Sequence, residues 1–449
     1  GQLSTAALEQ RISATRHQDS VRALGLVPLP RGKVAARAEA LRRYQFLEEF
    51  RRQGRRHGSQ RQASERLALD IALQNLARAA GYRDPRRLQW AMEAAAVADL
   101  ARGPVRITDA ETTITLAIDD DGAPALSAAK KGRPLASVPA RLGKRPDVKS
   151  LRDRFTELRR QRTRMRASLE ASMCRGEVFR GPELKELCSH PMLRPMVERL
   201  VFIGRGALIG YPVEGGRALC DCHGTLEGVG RADELRVAHP FDLFARGDWS
   251  DWQRDCFAAE RVQPFKQLFR ELYPKTAAER AAGSVARRYA GHQVNPRQAL
   301  ALLGGRQWVH APEVGLSRTF HDEQLTAWLD FEEHFWTAAE VEGLTLDGVT
   351  FVRADGRYEC LPLADVPDRV FSETMRDLDL VVSVAHTGGV DPEASASTIE
   401  MRARLVLETC RLLGLANVRV SDHFVLIDGT RASYSVHLGS AGARLRPGP

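Results

Sequence analysis

Apolar positions recur at helical spacing through the first hundred residues. Segments 38–52 and 64–80 are long, rich in Arg, Leu, Ala and Glu and nearly free of breakers, which predicts helices. In the second of these Leu67, Ile71, Leu73 and Leu76 recur close to that spacing, and Gly81 stands where a C-terminal cap belongs. Pro85, after Asp84, suits the first position of a further helix through Trp90 and Met92. The period changes at Ile107: β-branched residues alternate over 112–118 and run into Asp119-Asp120-Asp121-Gly122, a hairpin turn. From Leu151 the helical period returns. Leu151, Phe155, Leu158, Met165 and Leu169 form an apolar stripe, and arginines fill much of the remainder.

Residues 183–200 predict more helix, and 200–211 and 217–221 predict short strands around glycine-rich turns. Helices are expected over 249–259, 264–272, 277–291 and 296–303, the last opened by Pro296. The C-terminal part predicts a buried strand over 380–386, a helix over 397–413 capped by Gly414, and strands over 418–421, 424–427 and 434–438. Leu405, Val406, Leu412 and Leu413 are expected to face strands that carry Val382, Val384, Val418 and Val420.

The pattern predicts an α+β protein: an N-terminal helical region with a β hairpin, a basic linking helix, and a C-terminal α+β unit with an antiparallel sheet. Five stretches are expected. They are a helical region over 1–105, a small β unit over 106–150, a basic helix and mixed region over 151–245, a helical region over 246–310, and the C-terminal unit over 311–449.

Composition fits a folded globular chain, with 43% hydrophobic and 27% charged residues. No stretch approaches the roughly 18 apolar residues of a membrane-spanning helix, so no membrane partner is expected. The first residues lack an initiating Met and a signal-like pattern, so an upstream region of a longer chain is expected. Seven dispersed cysteines argue against a disulfide framework and for a reducing, cytoplasmic compartment.

Charge changes the picture more. The net +9 hides an asymmetry: residues 1–170 hold 34 Lys and Arg against 19 Asp and Glu, and the remainder is net acidic. Arg159, Arg160, Arg162 and Arg166 on the basic helix are candidates for forked contacts to phosphates. Aromatic residues, at 6%, are too sparse for a base-stacking surface, so such contacts would follow the backbone of a nucleic acid. Solvated arginines on an ordinary surface give the same pattern.

Three other constellations carry chemistry. Cys220, Cys222 and His223 offer zinc-type donors, but one residue between the cysteines is too short for the usual chelate, and no metal or cofactor is expected. Arg287 and Arg288 precede His292; Arg288 and His292 would share a face if the helix ran that far. His386, His437 and Arg402, with helix-start serines such as Ser397 and with Ser440 after the last strand, would make an anion or acid-base site if the two histidine strands lay side by side. No nucleophile elbow, P-loop, dinucleotide fingerprint or His-Glu-x-x-His accompanies them.

Several phrases carry a resemblance: Leu24-Gly25-Leu26-Val27-Pro28, the run over 77–93, Ser189-His190-Pro191-Met192, Val237-Ala238-His239-Pro240, Gln263-Pro264-Phe265-Lys266-Gln267, Arg288-Tyr289-Ala290-Gly291-His292 and Tyr434-Ser435-Val436-His437. Over about residues 20–441 the chain resembles a bacterial family termed domain of unknown function 4132, or MolR-like, after molybdate metabolism regulator. The resemblance implies no settled activity and no catalytic residues. Some longer relatives of that family look like they carry a WGR module, a type associated with nucleic-acid binding, and this chain has no such tripeptide.

The leading expectation is a cytoplasmic regulatory or stress-associated protein that contacts nucleic-acid backbone through its N-terminal basic surface. Two alternatives stay open: an enzyme acting on a phosphate-bearing or nucleotide-like substrate through a His and Arg pocket, and a scaffold that docks another protein or the upstream region.

Overall fold

The change of period near residue 105 marks the end of a helical bundle. In the computed structural model, which describes residues 4–54, 58–281, 283–311, 315–353, 359–389, 396–421, 423–438 and 443–446, the helices Thr5–Thr15, Gln18–Leu24, Lys33–Gly54, Ser59–Ala79 and Pro85–Ala96 pack around Leu8, Leu24, Leu47, Leu76 and Met92. Asp84 caps the last of them by accepting from the Arg87 amide at 2.9 Å, with Pro85 in the first turn. The buried face of Ser59–Ala79 is one residue round from the expected one. Ala68, Leu69, Ala72 and Leu76 are inside, whereas Leu67 is 57% exposed and Ile71 lies at the surface. The small alanines explain this, because the chain at Gly25 comes so close to the Ala72 carbonyl that no side chain fits between them.

The hairpin is half of a four-stranded antiparallel meander of Val105–Asp109, Thr112–Ile118, Pro124–Lys130 and Arg133–Leu135. It packs on the 30-residue helix Pro146–Arg175, which is about 45 Å long. Leu151, Leu158, Met165 and Leu169 of that helix are buried as expected, and Gly176 ends it in the left-handed conformation. The same apolar cluster takes in Phe179, Phe202 and Leu235 from a six-stranded sheet over 179–237.

Two expected helices do not form. Over 264–272 the chain turns, because Gln267 and Gln263 use their side chains as backbone substitutes: the Gln267 amide donates to the Val201 and Ala238 carbonyls, each at 2.8 Å, and Gln263 accepts from the Leu268 amide at 2.9 Å. Over 277–291 the helix stops at Ala281, and Gly283 and Gly291 take positive φ values of 73° and 81° that break it.

The C-terminal half is built on a seven-stranded sheet whose centre is Leu325–Phe331 and Leu344–Arg353, with His292–Val294 and His386–Gly389 at one edge. Helix Asp368–Ala385 packs on this half through Val370, Phe371, Met375, Leu378 and Val381. The strand expected over 380–386 is the end of this helix. Its run of valines looks β-like alone, but the apolar positions from Val370 onward keep helical spacing. Helix Ala396–Leu413 and a four-stranded sheet of Val418–Val420, Phe424–Asp428, Ser433–His437 and Ala443–Leu445 close the chain. Among the described residues no helix is long and apolar enough to cross a membrane.

Candidate functional site

The basic helix Pro146–Arg175 divides its arginines between two jobs. Arg154 is tied to Asp99 by bonds of 2.6 and 2.7 Å, Arg164 reaches Glu93 and Glu157 at 3.1 Å each, and Arg162 donates to the Asp121 carbonyl at 3.3 Å. These three brace the helix against the bundle and the meander. Arg152, Arg159 and Arg166 stand seven residues apart, so they drift only about 20° per step and form one line about 10 Å from charge to charge. All three are exposed and make no ion pair among the described residues. Arg160 sits beside the line, 4.0 Å from Glu157. Of the four expected phosphate contacts, Arg159 and Arg166 lie on this line, Arg160 flanks it and Arg162 is half-buried elsewhere; Arg152 completes it.

The His and Arg candidates separate. Arg288 is a core residue, bonded to Glu279 at 2.5 and 2.9 Å and to the Pro274 carbonyl at 2.8 Å, and shares no helix face with His292 because no helix runs between them. Arg287 is exposed, 3.5 Å from Asp347. His386 and His437 do not lie on neighbouring strands: the first pairs with Val294, the second with Phe424 in the terminal sheet. What the sheet edge brings together is His292 and His386, ring centres 5.5 Å apart, with Tyr289 6.4 Å from His292. Burial lowers the His292 pKa, and His386 and Arg402 lower it further. Arg402 donates to the Leu438 carbonyl at 2.7 Å and lies 3.8 Å from Asp379. The Ser397 side chain and Ser440 lie outside the described residues.

Cys220 ends a strand, and Cys222 and His223 follow in a turn held by Asp221, which accepts from the His223 and Thr225 amides at 2.9 and 2.7 Å. Among the described residues no three His, Cys, Asp or Glu side chains are grouped to hold a metal ion.

Sequence reasoning missed the most heavily charged interior. Glu373 and Asp377, one turn apart on Asp368–Ala385, are both buried. Glu373 takes two bonds of 2.7 Å from Arg270 and faces the His239 Nε2 at 3.1 Å, and Arg270 also reaches Glu170 at 2.8 Å. His239 Nδ1 accepts from the Phe241 amide at 3.2 Å, which leaves the proton on Nε2, facing Glu373. Burial acts to raise the Glu373 pKa, but Arg270 and His239 hold it well below the ordinary range. Asp377 accepts from Trp308 at 2.8 Å and Arg318 at 2.5 Å. Cys174, 3.2 Å from Arg270, has its thiol pKa pushed up by burial and is no nucleophile. The network ties residues from 170 to 377 together; its available signal was two acids interrupting an apolar helical stripe.

Three family models match separate parts of the chain. Residues 1–92 match a family of unknown function (DUF5724), residues 132–308 a domain of unknown function (DUF4132), and residues 399–449 a domain of unknown function (DUF7737). The expected resemblance thus holds over the middle of the chain, while the two ends match other families. No curated protein and no solved structure matches.

Proposed function

We propose that this chain is a MolR-like bacterial protein of regulatory type that works in the cytoplasm and contacts nucleic-acid backbone through the helix Pro146–Arg175. The observation that carries this reading is the exposed line of Arg152, Arg159 and Arg166. Guanidinium groups without companion aromatics neutralise phosphates and do not read bases, so binding has weak sequence preference. The test replaces these three arginines by Gln, which keeps helix propensity, and measures affinity for a short duplex over a salt series from about 50 mM. Each phosphate no longer neutralised lowers the slope of log affinity against log salt by about 0.9. An unchanged slope, or no binding by the unaltered protein at low salt, removes the proposal.

A second reading rests on the meeting of His292, His386 and Arg402. Two imidazoles and a guanidinium suit a phosphate-bearing substrate, with the imidazoles exchanging protons near neutral pH. Its test is hydrolysis or transfer activity on phosphate esters that His292→Gln and His386→Gln abolish separately.

A further inference from the structure

Two stretches that carry the sequence resemblance, 82–90 and 189–192, meet across a cleft of about 700 Å³. The first comes from the helical bundle, at the junction of Ser59–Ala79 and Pro85–Ala96; the second is the turn after helix Gly181–Ser189. Neither stretch is used by the basic line or the histidine pair. The volume lies within the roughly 300–1,000 Å³ of small-ligand sites.

His190 is the informative residue. It lines the cleft yet is only 2% exposed. Its Nδ1 accepts from the Met192 amide at 3.1 Å and the Leu193 amide at 3.4 Å, and burial pushes its pKa down to about 4. The ring is therefore neutral with its proton on Nε2, and Nε2 has no partner among the described residues. With Nδ1 turned to its own backbone, the opposite edge is the one directed at the cleft. A buried N–H with no acceptor is rare and costly unless something else supplies the acceptor.

The rest of the lining indicates what supplies it. Tyr82 and Trp90 give flat walls, Trp90 being backed by Phe179 with ring centres 6.0 Å apart. Arg37, Arg83 and Arg180 stand exposed around the cleft, and none makes an ion pair among the described residues. Arg87, in contrast, is fully engaged by Asp84, Glu177, Glu183 and the Val178 carbonyl. Glu186 and Glu234 add carboxylates that take hydroxyl or amino donors. Cations, a flat wall, a single buried donor and acceptor carboxylates match one chemical class.

We infer that this cleft binds a mononucleotide, its phosphate on Arg37 and Arg83, its base against the Tyr82 and Trp90 wall, and a ring acceptor on the His190 Nε2–H. The inference is independent of the basic helix, and the Arg152, Arg159 and Arg166 replacement leaves it intact.

The experiment is calorimetric titration of the full chain with the four common nucleoside monophosphates, with the corresponding nucleosides and inorganic phosphate as separate arms. At least one nucleotide binds, at least tenfold more tightly than its nucleoside or phosphate. His190→Asn keeps an acceptor for the Met192 and Leu193 amides but loses the second N–H, and weakens nucleotide and nucleoside alike by tenfold or more. Arg37→Gln with Arg83→Gln, both at exposed positions, weakens the nucleotide and leaves the nucleoside unchanged; this pair decides the matter if His190→Asn fails to fold. The inference is overturned if no nucleotide binds, if phosphate or nucleoside binds equally well, or if the folded variants bind as the unaltered protein does.

Discussion

Glu373 holds Arg270 with both carboxylate oxygens, at 2.7 Å from Nε and 2.7 Å from Nη2, and both side chains are almost entirely withdrawn from solvent. Such a pair is weak evidence of net stability, because each charge was costly to desolvate. Breaking it is another matter. Glu373→Ala leaves the Arg270 guanidinium buried with only Glu170 as counter-charge and is expected to cost about 3–5 kcal/mol in a urea melt. Because the Glu373 pKa is depressed, the stabilisation is complete above its ordinary value of 4.5 and is lost as pH falls through its lower folded value. A melt midpoint within error of the unaltered protein at neutral pH would show the pair to be dispensable.

His190 loses stability in a different window. Its pKa falls from 6.5 to about 4 on folding, driven by burial and opposed only by a backbone hydrogen bond. The unfolded chain therefore binds the proton first, and stability declines as pH drops from 6.5 to about 4, by about 3 kcal/mol at the end of that range. His239 and His292 are lowered too and add to the slope. Unfolding measured between pH 7 and pH 5 should therefore be flatter in His190→Asn; equal slopes would show that this ring is solvated.

Gly25 is required by space and not by conformation. Its φ of −69° suits any residue, but a Cβ there would lie 2.2 Å from the Ala72 carbonyl oxygen and 2.8 Å from the Asn75 Cβ. Gly25→Ala must push helix Gln18–Leu24 off Ser59–Ala79, and is expected to cost about 1–3 kcal/mol. Gly228→Ala, where nothing lies within 4 Å, serves as control and should change stability by about 0.5 kcal/mol or less.

These contrasts show what the sequence could reveal. The amphipathic stripe of Pro146–Arg175, the Asp84-Pro85 helix start and the last strands were legible because each is decided by neighbours in the chain. The turn over 264–272 was not, because Gln263 and Gln267 find their partners at Arg199, Val201 and Ala238, far away in sequence. The histidines follow the same logic. His292 and His386 meet only because a short edge strand returns to the sheet, and His437 belongs to another sheet. Local pattern named the three residues and could not say which two would touch.

Leu378 and Leu412 put the corrected helix faces to a direct test. The sequence pattern places Leu412 in a core made with Val382 and Val384, but those valines are helical, Leu412 is only half-buried and its neighbour Leu413 is 48% exposed. In Ala396–Leu413 it is Val406 that packs toward Val418 and Val420, while Leu405 packs toward the cluster around Phe371. Leu378, on the inner face of Asp368–Ala385, is 3% exposed and belongs to that cluster. Leu378→Ala removes fully buried methylenes and leaves a cavity, for an expected loss of about 2–5 kcal/mol. Leu412→Ala gives up partly solvated surface with little cavity and should lose about 1 kcal/mol, offset in part by the higher helix propensity of Ala. Parallel denaturant melts decide the matter: equal losses, or a larger one at Leu412, would mean that Ala396–Leu413 turns a different face to the protein.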